Sequence, residues 1–136
     1  MRTWRSHFMI AVAATALAAA PVRAQAGAPV SWSASPAAQL KGALRGLAAA
    51  QARYREGRGS YAAALSSLDL RAEPGVRLEV TAASTTGWQG RATHQSRPGL
   101  SCVVFVGRVE GREAPRTQGD GEMAGEEGVP LCDRMR

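Results

Sequence analysis

Side chains able to move protons are scarce in this chain. Its only histidines are His7 and His94. Nucleophilic catalysis needs a nucleophile, a base and a group that orients the base, all within hydrogen-bond reach. Serines are plentiful, but no G-x-S-x-G marks one of them. Asp69 and Glu73 could meet as a carboxylate pair beside Pro74, and Asp120/Glu122 and Glu126-Glu127 lie in a glycine-rich stretch. Solvated carboxylates have little to raise their pKa towards that of a general acid. Calcium takes six to eight oxygens, and Asp120 and Glu122 lack the ordered D-x-D-x-D spacing that supplies them. No G-K-S/T follows the glycines, so they form no phosphate loop. The expectation is a non-catalytic chain without a metal or other cofactor, with His94 hydrogen-bonded in a structural role.

Cys102 and Cys132 are the only cysteines. They could form a disulfide, or join His94 and Asp133 as metal ligands. Structural zinc sites usually present a close pair such as C-x-x-C, which is missing here. The choice turns on the compartment, and the start of the chain bears on that. Arg2 and Arg5 precede an uncharged run from Phe8 to Ala20, and Ala24-Gln25-Ala26 follows Pro21. A basic start, an apolar middle and a small-x-small end make residues 1–26 a secretory signal peptide, with cleavage between Ala26 and Gly27. The apolar run would reach about 20 Å as a helix, short of a hydrocarbon core of roughly 30 Å. The expected address is periplasmic or secreted, with no stable membrane insertion after cleavage. An even cysteine count in an oxidising compartment favours a Cys102–Cys132 disulfide.

The 17 basic and 11 acidic residues give a formal charge of +6. Removing the leader with Arg2, Arg5 and Arg23 leaves 14 against 11, or +3. Arg45, Arg53, Arg55 and Arg58 are the candidate contacts to a polyanion such as nucleic acid. Phosphate binding needs several cations on one face. Their spacings of eight, two and three scatter these four around a helix. A solvated helix surface is the simpler reading.

The elements that must position these groups follow from periodicity. Residues 27–34 read as a flexible N-terminal segment. Ser35-Pro36 is a helix start, with Ser as N-cap and Pro in the first turn. Leu40, Leu44, Leu47 and Tyr54 lie on one helical face, and Gly57 and Gly59 stop the helix near Glu56. Tyr61, Leu65 and Leu68 suggest one short helical turn. After the Glu73-Pro74-Gly75 turn the period becomes two. Val76–Thr81 and Trp88–His94 read as strands, Arg97-Pro98-Gly99 as a turn, and Leu100–Val106 as a third strand with apolar residues on both faces. Residues 107–128 read as a flexible loop, whose far end Val129-Pro130-Leu131-Cys132 returns to the third strand. The expected class is α+β. One long helix packs on an antiparallel meander of three to four strands, with a C-terminal loop closed by the disulfide.

Together these segments resemble the globular head of a type IV pilin or pseudopilin. The matching features are Ala50-Gln51, Tyr54, Gly57, Ser60-Tyr61, Leu68, Gly75-Val76, Gly87-Trp88, His94, Cys102 and Cys132, in that order. The resemblance spans Leu40 to Cys132 and implies the pilin roll for residues 35–136. The chain departs from the family at its start. A secretory leader stands where a pilin has a short leader ending in Gly, a Phe, a nearby Glu and a hydrophobic stem. The resemblance therefore implies a soluble accessory or binding protein of the cell envelope. Its partner would be a protein, with pilus or type II secretion pseudopilus subunits as candidates. Nucleic acid is the alternative partner.

Overall fold

A computed structural model describes residues 33–134. The expected leader, its expected cleavage position and residues 27–32 of the N-terminal segment lie outside the described residues. The first element, α1, is the helix Pro36–Arg58. The Ser35 hydroxyl accepts the Ala38 amide at 3.3 Å, and Pro36 occupies the first turn, where its missing N–H removes no helical bond. Gly57 remains helical, so the stop falls at Gly59 alone. Gly59 takes the left-handed conformation (φ 73°) and donates to the Arg55 carbonyl at 2.7 Å. Arg55 and Arg58 sit in the last turn, where the helix dipole favours cations.

The connection to the sheet contains one 3₁₀ turn, Leu65–Ser67. Four strands follow: β1 Val76–Ala83, β2 Gly87–His94, β3 Arg97–Gly107 and β4 Leu131–Cys132. They form one antiparallel sheet in the order β1-β2-β3-β4. A bulge between Val80 and Ala82 lengthens β1 beyond the expected Thr81 and turns Ala83 towards the core. The turn expected at Arg97-Pro98-Gly99 sits instead at Gln95-Ser96. Thr93 pairs with Ser101 while His94 pairs with Arg97. Pro98 and Gly99 are therefore absorbed as an irregularity inside the start of β3, where a missing N–H is tolerated.

α1 crosses one face of this sheet. Leu40, Leu44 and Leu47 are fully buried against Trp88, Ala92, Cys102 and Val104. Gly90 makes the approach possible: a Cβ there would come within 2.8 Å of the Trp88 ring and 3.0 Å of a Leu47 methyl. Period two sends Ser101, Val103 and Phe105 to the opposite face. Residues 108–130, the strap, lie across that second face and bury Val103 completely. The strap has little regular structure, limited to a bridge between Arg116 and Met123. Gly107, expected to open this loop, is instead the last residue of β3.

Candidate functional site

The strap and the strands beneath it hold most of the buried polar side chains among the described residues: Gln89, Ser101, Thr117 and Asp133. Cys102 and Cys132 are directly paired residues of β3 and β4, and they form a disulfide. That consumes both thiols and removes the proposed Cys/His/Asp metal set. Among the described residues no group of three or more His, Cys, Asp or Glu could hold a metal ion.

Asp133 follows Cys132 and points to the strap side. Its carboxylate accepts the Ser101 amide and hydroxyl, both at 2.8 Å, the Gly119 amide at 3.0 Å and the Asp120 amide at 2.7 Å. The residue is 6% exposed. Burial by itself would raise its pKa. The Thr117 hydroxyl and the amides of Asp120, Ser101 and Gly119 outweigh that and hold it well below the usual carboxylate range. Ser101 is also the acceptor for the Gln118 amide at 2.7 Å. One carboxylate thus joins the C-terminal strand, β3 and the strap. A group so fully used is a clasp and has no lone pair free for a proton in transit.

The strap has further fastenings along its length. Gln89 donates to the Glu113 carbonyl at 2.6 Å, and the Gly128 amide reaches the Phe105 carbonyl at 2.8 Å. Glu127 accepts the Gly107 amide at 2.7 Å. The calcium candidates are engaged as well. Asp120 accepts the Arg134 amide at 2.5 Å, and Glu122 pairs with the Arg134 side chain at 3.6 Å.

His94 holds the opposite side of the sheet to the helix. Its Nδ1 accepts from the Ser96 amide at 3.2 Å, so Nε2 carries the proton and donates to Gln39 Oε1 at 2.9 Å. Gln39 donates in turn to the Ala34 carbonyl at 2.9 Å. Both ring nitrogens are committed, which fits the structural role expected for this residue. Gln51 does similar work at the other end of α1. It is fully buried, and its amide exchanges two 2.8 Å hydrogen bonds with the backbone of Ala62.

The four arginines singled out as polyanion contacts are exposed on α1 but do not converge. At 100° per residue, Arg45 and Arg53 point about 80° apart, while Arg55 and Arg58 turn to the other flank. Arg55 lies 5.0 Å from the Tyr61 ring centroid and Arg58 lies 5.1 Å from that of Tyr54. These two guanidiniums are spread over aromatic faces at the end of the helix. Beside the strap, a shallow groove of about 420 Å³ is lined by Arg77, Glu79, Arg91, Thr93 and Gln118. Arg91 and Glu79 face each other there at 3.8 Å.

Asp133, Gln51 and Ser101 are the residues that sequence reasoning missed as organising groups. A faint signal existed for two of them. Asp133 adjoins a cysteine that must pair, and Gln51 lies on the Leu40/Leu44/Leu47 side of the helix. The chain matches no protein-family model and no curated protein.

Proposed function

We propose that this chain is an exported, non-catalytic pilin-like domain that works as an accessory or binding protein of the cell envelope. The observation that carries the reading is the order of parts. One helix packs on a β1-β2-β3-β4 antiparallel meander, and a strap closed by Cys102–Cys132 follows. That order agrees with the roll implied by the segments from Ala50-Gln51 to Cys132. The disulfide fits an oxidising compartment. The groups best suited to proton chemistry, His94 and Asp133, are occupied by structural bonds, which supports binding over catalysis. Among the described residues no helix is long and apolar enough to cross a membrane. In this reading the domain docks on pilus or type II secretion pseudopilus subunits through its folded surface.

The reading is tested on the native protein in its own cells. Surface filaments are sheared off, the envelope is fractionated, and each fraction is assayed by intact mass. The expected species starts at Gly27, is two hydrogens light, and is captured with pilin-type subunits after mild crosslinking. A chain that keeps residues 1–26, or one that stays in the cytoplasm with free thiols, overturns the reading.

A further inference from the structure

The two layers that sandwich the sheet carry opposite charge. α1 holds Lys41, Arg45, Arg53, Arg55 and Arg58 against Glu56 alone, a formal +4. The strap holds Glu110, Glu113, Asp120, Glu122, Glu126 and Glu127 against Arg108, Arg112 and Arg116, a formal −3. Asp133 and Arg134 cancel just beyond it. The sheet lies between the layers and keeps them apart. The ion pairs Arg91–Glu79, Arg116–Glu113 and Arg134–Glu122 all leave the helix out. Arg45 and Arg53 are exposed on α1, and Glu110 and Glu126 are exposed on the strap. The whole-chain charge conceals this arrangement, because the two contributions largely offset one another.

We propose that copies of this chain associate head to tail, with the outward side of α1 of one copy, where Lys41, Arg45 and Arg53 fan over about 120°, against the acidic strap of the next. Each face is complementary to the other and repels its own kind, so a two-fold dimer through either face is disfavoured. A contact between different faces leaves one of each kind open and can repeat along a row. The attraction acts between solvated charges. It gives a weak, salt-sensitive association whose strength follows the screening length, about 10 Å at 0.1 M and about 30 Å at 0.01 M. The inference is independent of the envelope function proposed above.

The test is sedimentation of the protein purified as its cells hold it, across a concentration series at about 10 mM and about 300 mM salt. The average mass is expected to climb with concentration in low salt, with an association constant roughly tenfold or more above that in high salt. Two double variants then isolate the faces. Arg45→Glu with Arg53→Glu brings α1 to zero net charge and leaves the strap intact. Glu110→Arg with Glu126→Arg makes the strap positive and leaves α1 intact. Each variant alone should remain monomeric. Mixed, they should form a one-to-one complex and nothing larger, because only one intact face of each kind is available. Thermal melts check that both variants fold, and Arg45→Gln with Arg53→Gln replaces the first if it does not. Three results would each overturn the proposal: a monomer at every concentration in low salt, association indifferent to salt, or a mixture that stays monomeric.

Discussion

The two faces of one sheet are covered by different means. On the helix side, Leu40, Leu44, Leu47, Trp88 and Val104 are fully buried, and the stabilisation is a matter of apolar area, about 25 cal/mol per Å². On the strap side, Val103 and Ala124 supply a small apolar patch among Ser101, Thr117, Gln89 and Asp133. There the cover is held by individual hydrogen bonds, and its C-terminal end is anchored by a disulfide whose side chains lie on the helix side of the sheet. A helix offers a continuous apolar stripe because its period repeats. A loop has no repeating face, so it must be fastened at points. The helix side should tolerate exchange of one apolar residue for another of similar volume. The strap side should respond to acid, reductant and the loss of single polar atoms.

The largest effect is expected on the helix side. Leu44→Ala should cost about 4 kcal/mol in a denaturant melt, because the site is fully enclosed and leaves a cavity. A loss below about 1 kcal/mol would mean that the helix layer is loosely packed and that the contrast between the faces fails. Replacing both cysteines by alanine should cost about 3 kcal/mol through the freer unfolded chain. Amide exchange should then accelerate across 108–130 more than within α1. Equal acceleration in both would show that the two layers open as one unit.

Asp133→Asn comes next, at about 2 kcal/mol, since an amide nitrogen would meet backbone donors in place of an acceptor. The native carboxylate also sets a pH response. Its folded pKa is depressed, so its stabilisation is complete above the unfolded value of about 4 and is lost as pH falls through the lower folded value. Acid melts should show this loss in the native protein, and the Asn variant should lack that component. Glu79→Gln should change stability least, within about 1 kcal/mol, because its pair with Arg91 is long and partly solvated. A larger loss in a thermal melt would place an energetic fastening in the groove, outside the strap.

Much of the helix side was legible because it is periodic. The Leu40/Leu44/Leu47 spacing gave the buried face of α1. Ser35-Pro36 gave its start, and the alternation of Val76, Leu78 and Val80 gave β1. The disulfide followed from two cysteines and an expected address. The helical phases of Arg45, Arg53, Arg55 and Arg58 also foretold their dispersal. The strap side was far less legible. The amides of Gly119 and Asp120 that hold Asp133 belong to the backbone, and their direction depends on a loop path with no period to read. Pro98-Gly99 has the composition of a turn, yet the pairing of β2 with β3 puts the reversal at Gln95-Ser96 and accommodates the extra residues within the strand. Gln51 looked like an ordinary helix residue until the chain beyond Gly59 brought the Ala62 backbone against it.

The link between Cys102 and Cys132 has a consequence for resistance to proteolysis. The strap contains several arginines and a long exposed stretch, which is the kind of segment that arginine-directed proteases cut first. A single cut between the two cysteines releases nothing. The downstream fragment stays covalently attached to β3, with Asp133 still seated among its donors. A digested sample would gain the mass of one water and come apart only when it is both unfolded and reduced.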